Sequence, residues 1–468
     1  MIFALLICKD NFSDFLKYYN INLSCVSSGE GILLSFINLE KGDLKMISNI
    51  KRIMKDIETI TSYTKTPQNG CTRFSYSHED KLARNYLFSQ MEQLGLSIKV
   101  DAIGNIRAKY GVELKNPSIM IGSHIDTVEN GGRFDGLAGV ITALEVIRVL
   151  KEENVKLSKP IEIVIFAEEE GSNFGVTMLG SKALTGHYSI EELKTIKNEN
   201  GQTVYDVVKD FDLKIENLEN YLLKKDEVES MIELHIEQGA VLENKGKSIG
   251  VVQAIAGMKT LKVTLEGDSN HAGTTPMELR CDPMVGASSI ISHIQKATKD
   301  HALSTTVATV GKITCQPNMA NVIPQKVEFF VDVRDVDTKG IEFVMKEISN
   351  KVNEVATSNN LKSKIDLIGT SKSVRLSPRI IQIIEETAKE NNYNYMRMNS
   401  GAVHDAAMLT EFTDVGMIFI PSIGGKSHCP EEYTKEEDIK AGCDLLINVI
   451  KNLAVSKKES QKVNNSSK

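Results

Sequence analysis

Ser118-Ile-Met-Ile-Gly-Ser-His-Ile-Asp-Thr127, followed by Gly131-Gly-Arg-Phe-Asp-Gly136, decides how this chain folds. A short apolar run that breaks at a glycine into polar residues reads as a buried strand ending in a loop. His124 and Asp135 then stand eleven positions apart on glycine-flanked turns. The apolar run Ile161–Ala167 repeats the pattern and ends on the acidic triplet Glu168-Glu169-Glu170. Between the two runs, Leu137 to about Lys151 has the spacing of a helix. Buried strands alternating with helices predict an α/β layer, and candidate ligands that begin where strands end predict a site at those ends.

Working outward, Ile47, Ile50, Ile53, Met54, Ile57 and Ile60 recur at helical spacing, and Ser77 with Asp80 reads as a capping box opening a helix that ends near Gly95. The stretch from about Gly257 to Gly369 has a different rhythm. Leu261, Val263 and Leu265 alternate as a strand, a helix fits Asp282–Lys299, and strands fit Ser304–Thr314 and Lys326–Arg334. A helix over Gly340–Thr357 and a strand over Lys362–Ile368 complete the order β-α-β-β-α-β of a ferredoxin-like unit. The helix around Ser377–Glu390, the strand Val415–Pro421 and the last helix then return to the first layer. The expected organisation is an α/β/α domain over 46–256 and 370–455, carrying an inserted ferredoxin-like α+β lid over 257–369. Residues 1–45 fit poorly with the amphipathic pattern that Met46 opens, and read as an extension upstream of the natural start or a disordered arm. Met1–Cys8 is apolar but lacks the basic residues and small-residue cleavage site of a secretory signal. The polar tail 456–468 is expected to be disordered.

Composition narrows the class of function. At 468 residues the chain exceeds one ordinary core, so two domains are expected. A formal charge of −7 with no basic cluster argues against nucleic acid, and no apolar run reaches membrane-spanning length. Seven cysteines without a spacing pattern suit reduced thiols and a cytoplasmic location better than a disulfide framework.

The chemistry-bearing residues gain meaning together. His124 followed by Asp126 offers an imidazole ligand with a carboxylate able to orient it; a lone His-x-Asp is more often a polar turn. Asp135 can bridge two cations because its oxygens point apart, although alone it is an ordinary turn aspartate. Three consecutive carboxylates leaving a buried strand are unfavourable unless a cation sits there, and a solvated acidic loop is the competing reading. His235 in Glu233-Leu-His-Ile-Glu-Gln-Gly239 and His428 in Gly424-Gly-Lys-Ser-His-Cys-Pro430 can complete the ligand set, though each singly would be a structural histidine. His271, in His271-Ala-Gly-Thr-Thr-Pro276, suits an electrophilic role or a surface loop. Arg334, in Asp332-Val-Arg-Asp335, can clamp a carboxylate or pair with either neighbouring aspartate.

This ordered set resembles the aminoacylase and carboxypeptidase-like family of co-catalytic metallohydrolases, from about Met46 to Val455. Within it the chain looks most like the N-carbamoyl-L-amino-acid hydrolase and allantoate amidohydrolase (hydantoinase/carbamoylase) branch. Many peptidase relatives have aspartate or glutamate at the fourth ligand; His235 in Glu-Leu-His-Ile-Glu-Gln-Gly marks the carbamoyl-hydrolysing branch, as do residues 271–276 and Asn321-Val-Ile-Pro324. The resemblance implies that His124, Asp135, Glu170, His235 and His428 hold two divalent ions, with Asp135 bridging and Glu169 as general base and acid. It implies that Gln238, Asn321, Arg334 and Gly401 hold a small ureido carboxylate, and that His271 serves the partner's site in a homodimer formed through the lid. Zinc or manganese, with cobalt or nickel as further candidates, suits the mixed nitrogen and oxygen ligands. Relatives usually have Gly where this chain has Val403 and Ser where it has Cys429, which touches substrate choice and oxidation sensitivity rather than any ligand. The rival readings are a dipeptidase or aminoacylase of the same family, and a non-catalytic metal-dependent binding module.

Overall fold

The parallel centre of a nine-stranded sheet is built from the strands that the apolar runs announce. The computed structural model describes residues 47–455, so the expected N-terminal extension (1–45) and the tail (456–468) lie outside the described residues. In space the strands run Ser97–Val100, Ile106–Tyr110, Ile161–Phe166, Ser118–His124, Val228–Ile236, Asp414–Ile420, Ile249–Ile255, Val374–Arg375. Tyr395–Ser400 also pairs along Ile249–Ile255. The four strands from Ile161–Phe166 to Asp414–Ile420 are mutually parallel, and antiparallel strands flank them.

Every residue of Ser118–His124 and Ile161–Phe166 is buried, as continuous apolar strands in a covered parallel sheet should be. The helix Leu137–Glu152 is buried from Leu137 to Leu150, between the sheet and the helices Ile50–Thr61 and Glu436–Ala454. Its two buried charges are paired: Glu145 receives Arg52 at 2.7 Å and Arg148 reaches Asp56 at 2.5 Å. The expected capping box at Ser77 is only half made. Ser77 Oγ accepts from Asp80 N–H at 3.1 Å, but the Asp80 carboxylate turns to Tyr76 N–H at 2.8 Å and to Arg84 at 2.9 Å. A buried arginine competes better for that carboxylate than the backbone of Ser77 does.

A second sheet is wholly antiparallel, in the order Lys362–Ser371, Gly257–Glu266, Lys326–Asp335, Val307–Gln316. Together with the helices Pro283–His301 and Thr338–Ser358 it forms the ferredoxin-like unit. Val327, Phe329, Val331 and Val333 are the buried alternate residues of Lys326–Asp335, and they meet Ile290, Val344 and Ile348 from the two helices. A separate short ribbon pairs Asn270–His271 with Val322–Ile323.

Candidate metal centre

The candidate ligands converge beyond the carboxyl ends of the parallel strands. His124 closes Ser118–His124, and His235 is the penultimate residue of Val228–Ile236. Each imidazole has one nitrogen on a backbone carbonyl: His124 Nδ1 on Asp126 O at 3.1 Å and His235 Nδ1 on Ile236 O at 2.8 Å. A carbonyl only accepts, so both Nδ1 atoms carry hydrogen and both Nε2 atoms are left for other partners. Those Nε2 atoms lie 3.8 Å and 3.1 Å from Asp135 Oδ1. Asp135 Oδ2 faces the other way, 3.0 Å from His428 Nε2, which is itself 3.4 Å from Glu170 Oε1. Three potential metal-holding groups result among the described residues, each with ligand atoms within 4.8 Å of one another: Glu233–His235–His404, and the pair His124–Asp135–His235 and Asp135–Glu170–His428. Asp135 belongs to both members of that pair.

Glycine makes this approach possible. Gly136 has φ +63°, and a Cβ there would lie 2.5 Å from the His124 ring. No larger residue could start the helix Leu137–Glu152 at that point without displacing the imidazole.

The electrostatics ask for positive charge. Burial pushes the Glu169 carboxyl well above its usual range, and the charges of Asp405, Glu170, Asp126 and Asp135 add to that. Burial, then Asp135 and Asp126, push Glu170 up in the same way. Burial alone would raise Asp135, but His235 and His428 hold it well below the ordinary range. Burial opposes protonation of His235, yet the Asp135 contact carries it up to about 9. Such a gathering of buried carboxylates with imidazoles fits divalent cations, whose charge would replace these protons. The mixture of nitrogen and oxygen donors fits them equally.

Other expected residues take more specific places. The Asp126 carboxylate does not orient His124, since it lies 3.8 Å from Nδ1. Instead its two oxygens accept from the N–H groups of Glu169 and Glu170 at 3.2 Å and 3.1 Å, and its carbonyl oxygen does the orienting. Glu168 is fully buried and accepts from Asn173 and Phe174 N–H, shaping the loop beneath the site. Glu169 Oε2 stands 3.9 Å from His124 Nε2. Gln238 donates to Asp135 Oδ2 at 2.8 Å. Arg334 makes the ion pair with Asp332 at 2.7 Å and also donates to Gly401 O at 3.3 Å, which joins the small sheet to the large one. His271 is exposed, with Nδ1 accepting from Gly273 N–H at 3.0 Å, and its neighbour Asn321 accepts from Ala272 N–H at 3.0 Å. The fold thus brings the five ligand candidates, Glu169 and Gln238 together, and sets His271 on the separate ribbon with Asn321 just before its second strand.

Three buried residues had escaped the sequence reading. His404 packs edge-on against His235 with ring centres 4.7 Å apart, and Ser400 Oγ lies 2.8 Å from its Nε2. Asp405 accepts from Ser181 at 2.5 Å. Glu432 accepts from Phe134 and Asp135 N–H at 2.8 Å and 3.1 Å. His404 and Asp405 stand in a stretch singled out for Gly401, but no spacing pattern marked Glu432.

With this fold and this cluster, the chain belongs to Peptidase family M20/M25/M40, whose profile it matches over residues 120–452. Within that family it stands with the hydantoinase/carbamoylase branch. It is 37% identical to an N-carbamoyl-L-amino-acid amidohydrolase of Paenarthrobacter aurescens over 86% of this chain and 98% of that protein. It is 35% identical to an allantoate amidohydrolase of Bacillus subtilis, covering 87% and 98%. The crystal structure of a hydantoinase/carbamoylase family amidase from Burkholderia multivorans matches with TM-score 0.80 and 31% identity, covering 88% of this chain and 99% of that one.

Proposed function

We propose that this chain is a two-metal amidohydrolase that cleaves the ureido C–N bond of N-carbamoyl-L-amino acids or of allantoate. The observation that carries this reading is the pair of ligand groups sharing Asp135, with Glu169 beside them and a histidine, His235, as the fourth ligand. Divalent ions, zinc or manganese, held by His124, Asp135 and His235 and by Asp135, Glu170 and His428, would supply Lewis acidity and a more acidic water. The remaining work falls to the chain's own side chains. Glu169, drawn by its burial towards holding a proton, takes one from the water that attacks the carbamoyl carbon and delivers it to the leaving nitrogen. Arg334 exchanges part of its contact with Asp332 for the substrate carboxylate, a two-bond clamp that places the carbamoyl carbon. Gln238, Asn321 and the Gly401 backbone hold the rest of the substrate. A carbamoyl amino acid then yields the amino acid, ammonia and carbon dioxide.

His271 acts at the partner's site in a homodimer formed through the four-stranded unit over 257–369, where it steadies the developing oxyanion. Its exposure at the ribbon Asn270–His271 supports that role. No helix among the described residues is long and apolar enough to cross a membrane. A cytoplasmic setting is supported by the five free thiols among those residues.

The test measures ammonia release from N-carbamoyl-L-amino acids and allantoate, and amino-acid release from dipeptides, with metal-stripped protein before and after zinc or manganese is restored. Metal-restored ammonia release from either ureido class supports the reading, and the preferred class assigns the substrate. Cleavage of dipeptides alone would move the enzyme to the peptidase side of the family. Silence on every substrate with metal bound would favour a binding module.

A further inference from the structure

Asp135 can serve two ligand groups only while its turn holds the carboxylate with Oδ1 toward His235 and Oδ2 toward His428. The residue doing the holding is Glu432, 2% exposed and remote in sequence from the turn it grips. One oxygen, Oε1, accepts from Phe134 N–H at 2.8 Å and Asp135 N–H at 3.1 Å. The other, Oε2, lies 2.8 Å from Ser427 Oγ, which is also 3.1 Å from Asp135 Oδ2. Glu432 N–H in turn donates to Cys429 O at 3.1 Å, within the loop that carries His428. The carboxylate therefore ties the turn of the bridging ligand to the loop of the exposed one. Asp126 grips the Glu169 and Glu170 N–H groups comparably, one oxygen to each, so the turns bearing Asp135 and Glu170 are both held by a buried carboxylate.

The turn is shaped around Glu432. A Cβ on Gly132 would lie 2.0 Å from the Glu432 carboxylate carbon. Here glycine serves space, not backbone freedom. Charge-assisted bonds from two consecutive N–H groups are strong, and deleting their acceptor leaves both donors without a partner.

We propose that Glu432 is a positioning residue for the metal centre, setting the orientation of the bridging Asp135 and its register with His428. The proposal rests on the metal-centre reading above. Zinc affinity of the metal-stripped full chain, measured by competition with a chelator, tests it alongside the melting temperature of the metal-free protein. Glu432→Ala is expected to bind zinc about 10–100-fold more weakly, the usual effect of removing an outer partner of a ligand. Glu432→Gln, whose amide oxygen still accepts from both N–H groups, is expected to stay close to the parent. Gly132→Ala keeps the carboxylate but pushes it aside, so it is expected to weaken zinc binding as Glu432→Ala does. In the double variant Gly132→Ala with Glu432→Ala the methyl meets no carboxylate, and affinity should be no weaker than with Glu432→Ala alone.

Unchanged zinc affinity in folded Glu432→Ala, or a lowered melting temperature with affinity intact, would overturn the proposal. If Glu432→Ala does not fold, Gly132→Ala decides alone, and parent-like affinity there overturns it. A parent protein that takes up no zinc would overturn the metal-centre reading itself, and the role of Glu432 with it.

Discussion

In the proposed mechanism Glu169 carries the heaviest chemical load of any single residue. It is 6% exposed, and buried carboxylates on several sides make ionisation costly without a cation. Glu169→Gln keeps the volume and removes the proton shuttle, so turnover is expected to fall by about 10²–10⁴-fold, the usual worth of general acid–base catalysis. Metal content by elemental analysis should stay at the parent level, since Glu169 belongs to neither ligand group. Loss of metal together with activity would show Glu169 to be a ligand instead. At this scale the sequence was most legible where residue type and neighbourhood are both unusual: His124, Asp135, Glu170, His235 and His428 sit beside glycines, carboxylates or strand ends. It misled at Asp126, where the side chain and the carbonyl oxygen of one residue divide the work and only coordinates reveal which does what. Glu432 was invisible because its partners, Phe134 and Asp135, lie 298 and 297 positions away.

At the scale of elements, helix and strand are inseparable from the site. The helix Leu137–Glu152 starts at Gly136, whose positive φ lets the turn bearing Asp135 pass under His124. Gly136→Ala would add about 1–3 kcal/mol of backbone strain and crowd the imidazole. Denaturant unfolding should show that loss, and chelator competition should show weaker metal binding. A fully stable variant with parent metal affinity would contradict this picture of the turn. The apolar strands Ser118–His124 and Ile161–Phe166 were readable as continuous buried runs, and Lys326–Asp335 in the small unit because its burial alternates residue by residue. Val228–Ile236 was not, because Ser230 and Glu233 interrupt its apolar run. Both are buried, and Glu233 Oε1 accepts from Ser123 Oγ on the adjacent strand at 2.6 Å, a pairing no local pattern announces. Ser97–Val100 is short and half-exposed, so it offered little periodicity to read.

For the whole molecule, stability and metal content should be linked through pH. In metal-free protein His235 keeps its proton up to about 9 against the usual 6.5, because the Asp135 contact outweighs burial. That proton's contribution is fully present below pH 6.5 and is lost as pH rises through 9. Burial likewise raises Glu168 from 4.5 to about 8, so its contribution is also lost as pH rises through 8. Metal-stripped protein should therefore melt at lower temperature at pH 9 than at pH 6.5, whereas metal, which binds the deprotonated ligands, should flatten or reverse the trend. Calorimetric melts of both forms at the two pH values check this, and a stripped protein more stable at pH 9 would contradict it. The α/β layer with an inserted ferredoxin-like unit was legible from the order of elements alone. The contact that joins the two sheets at Arg334 and Gly401 was not, since it depends on how they meet in space.

We propose that one carboxylate, Asp135, serves two metal ions at once. Anomalous diffraction from crystals of the zinc-loaded protein tests it most directly. Two peaks per subunit are expected, one beside His124 and His235 and one beside Glu170 and His428, with a different Asp135 oxygen on each. A single peak, or two peaks that do not share Asp135, would contradict it.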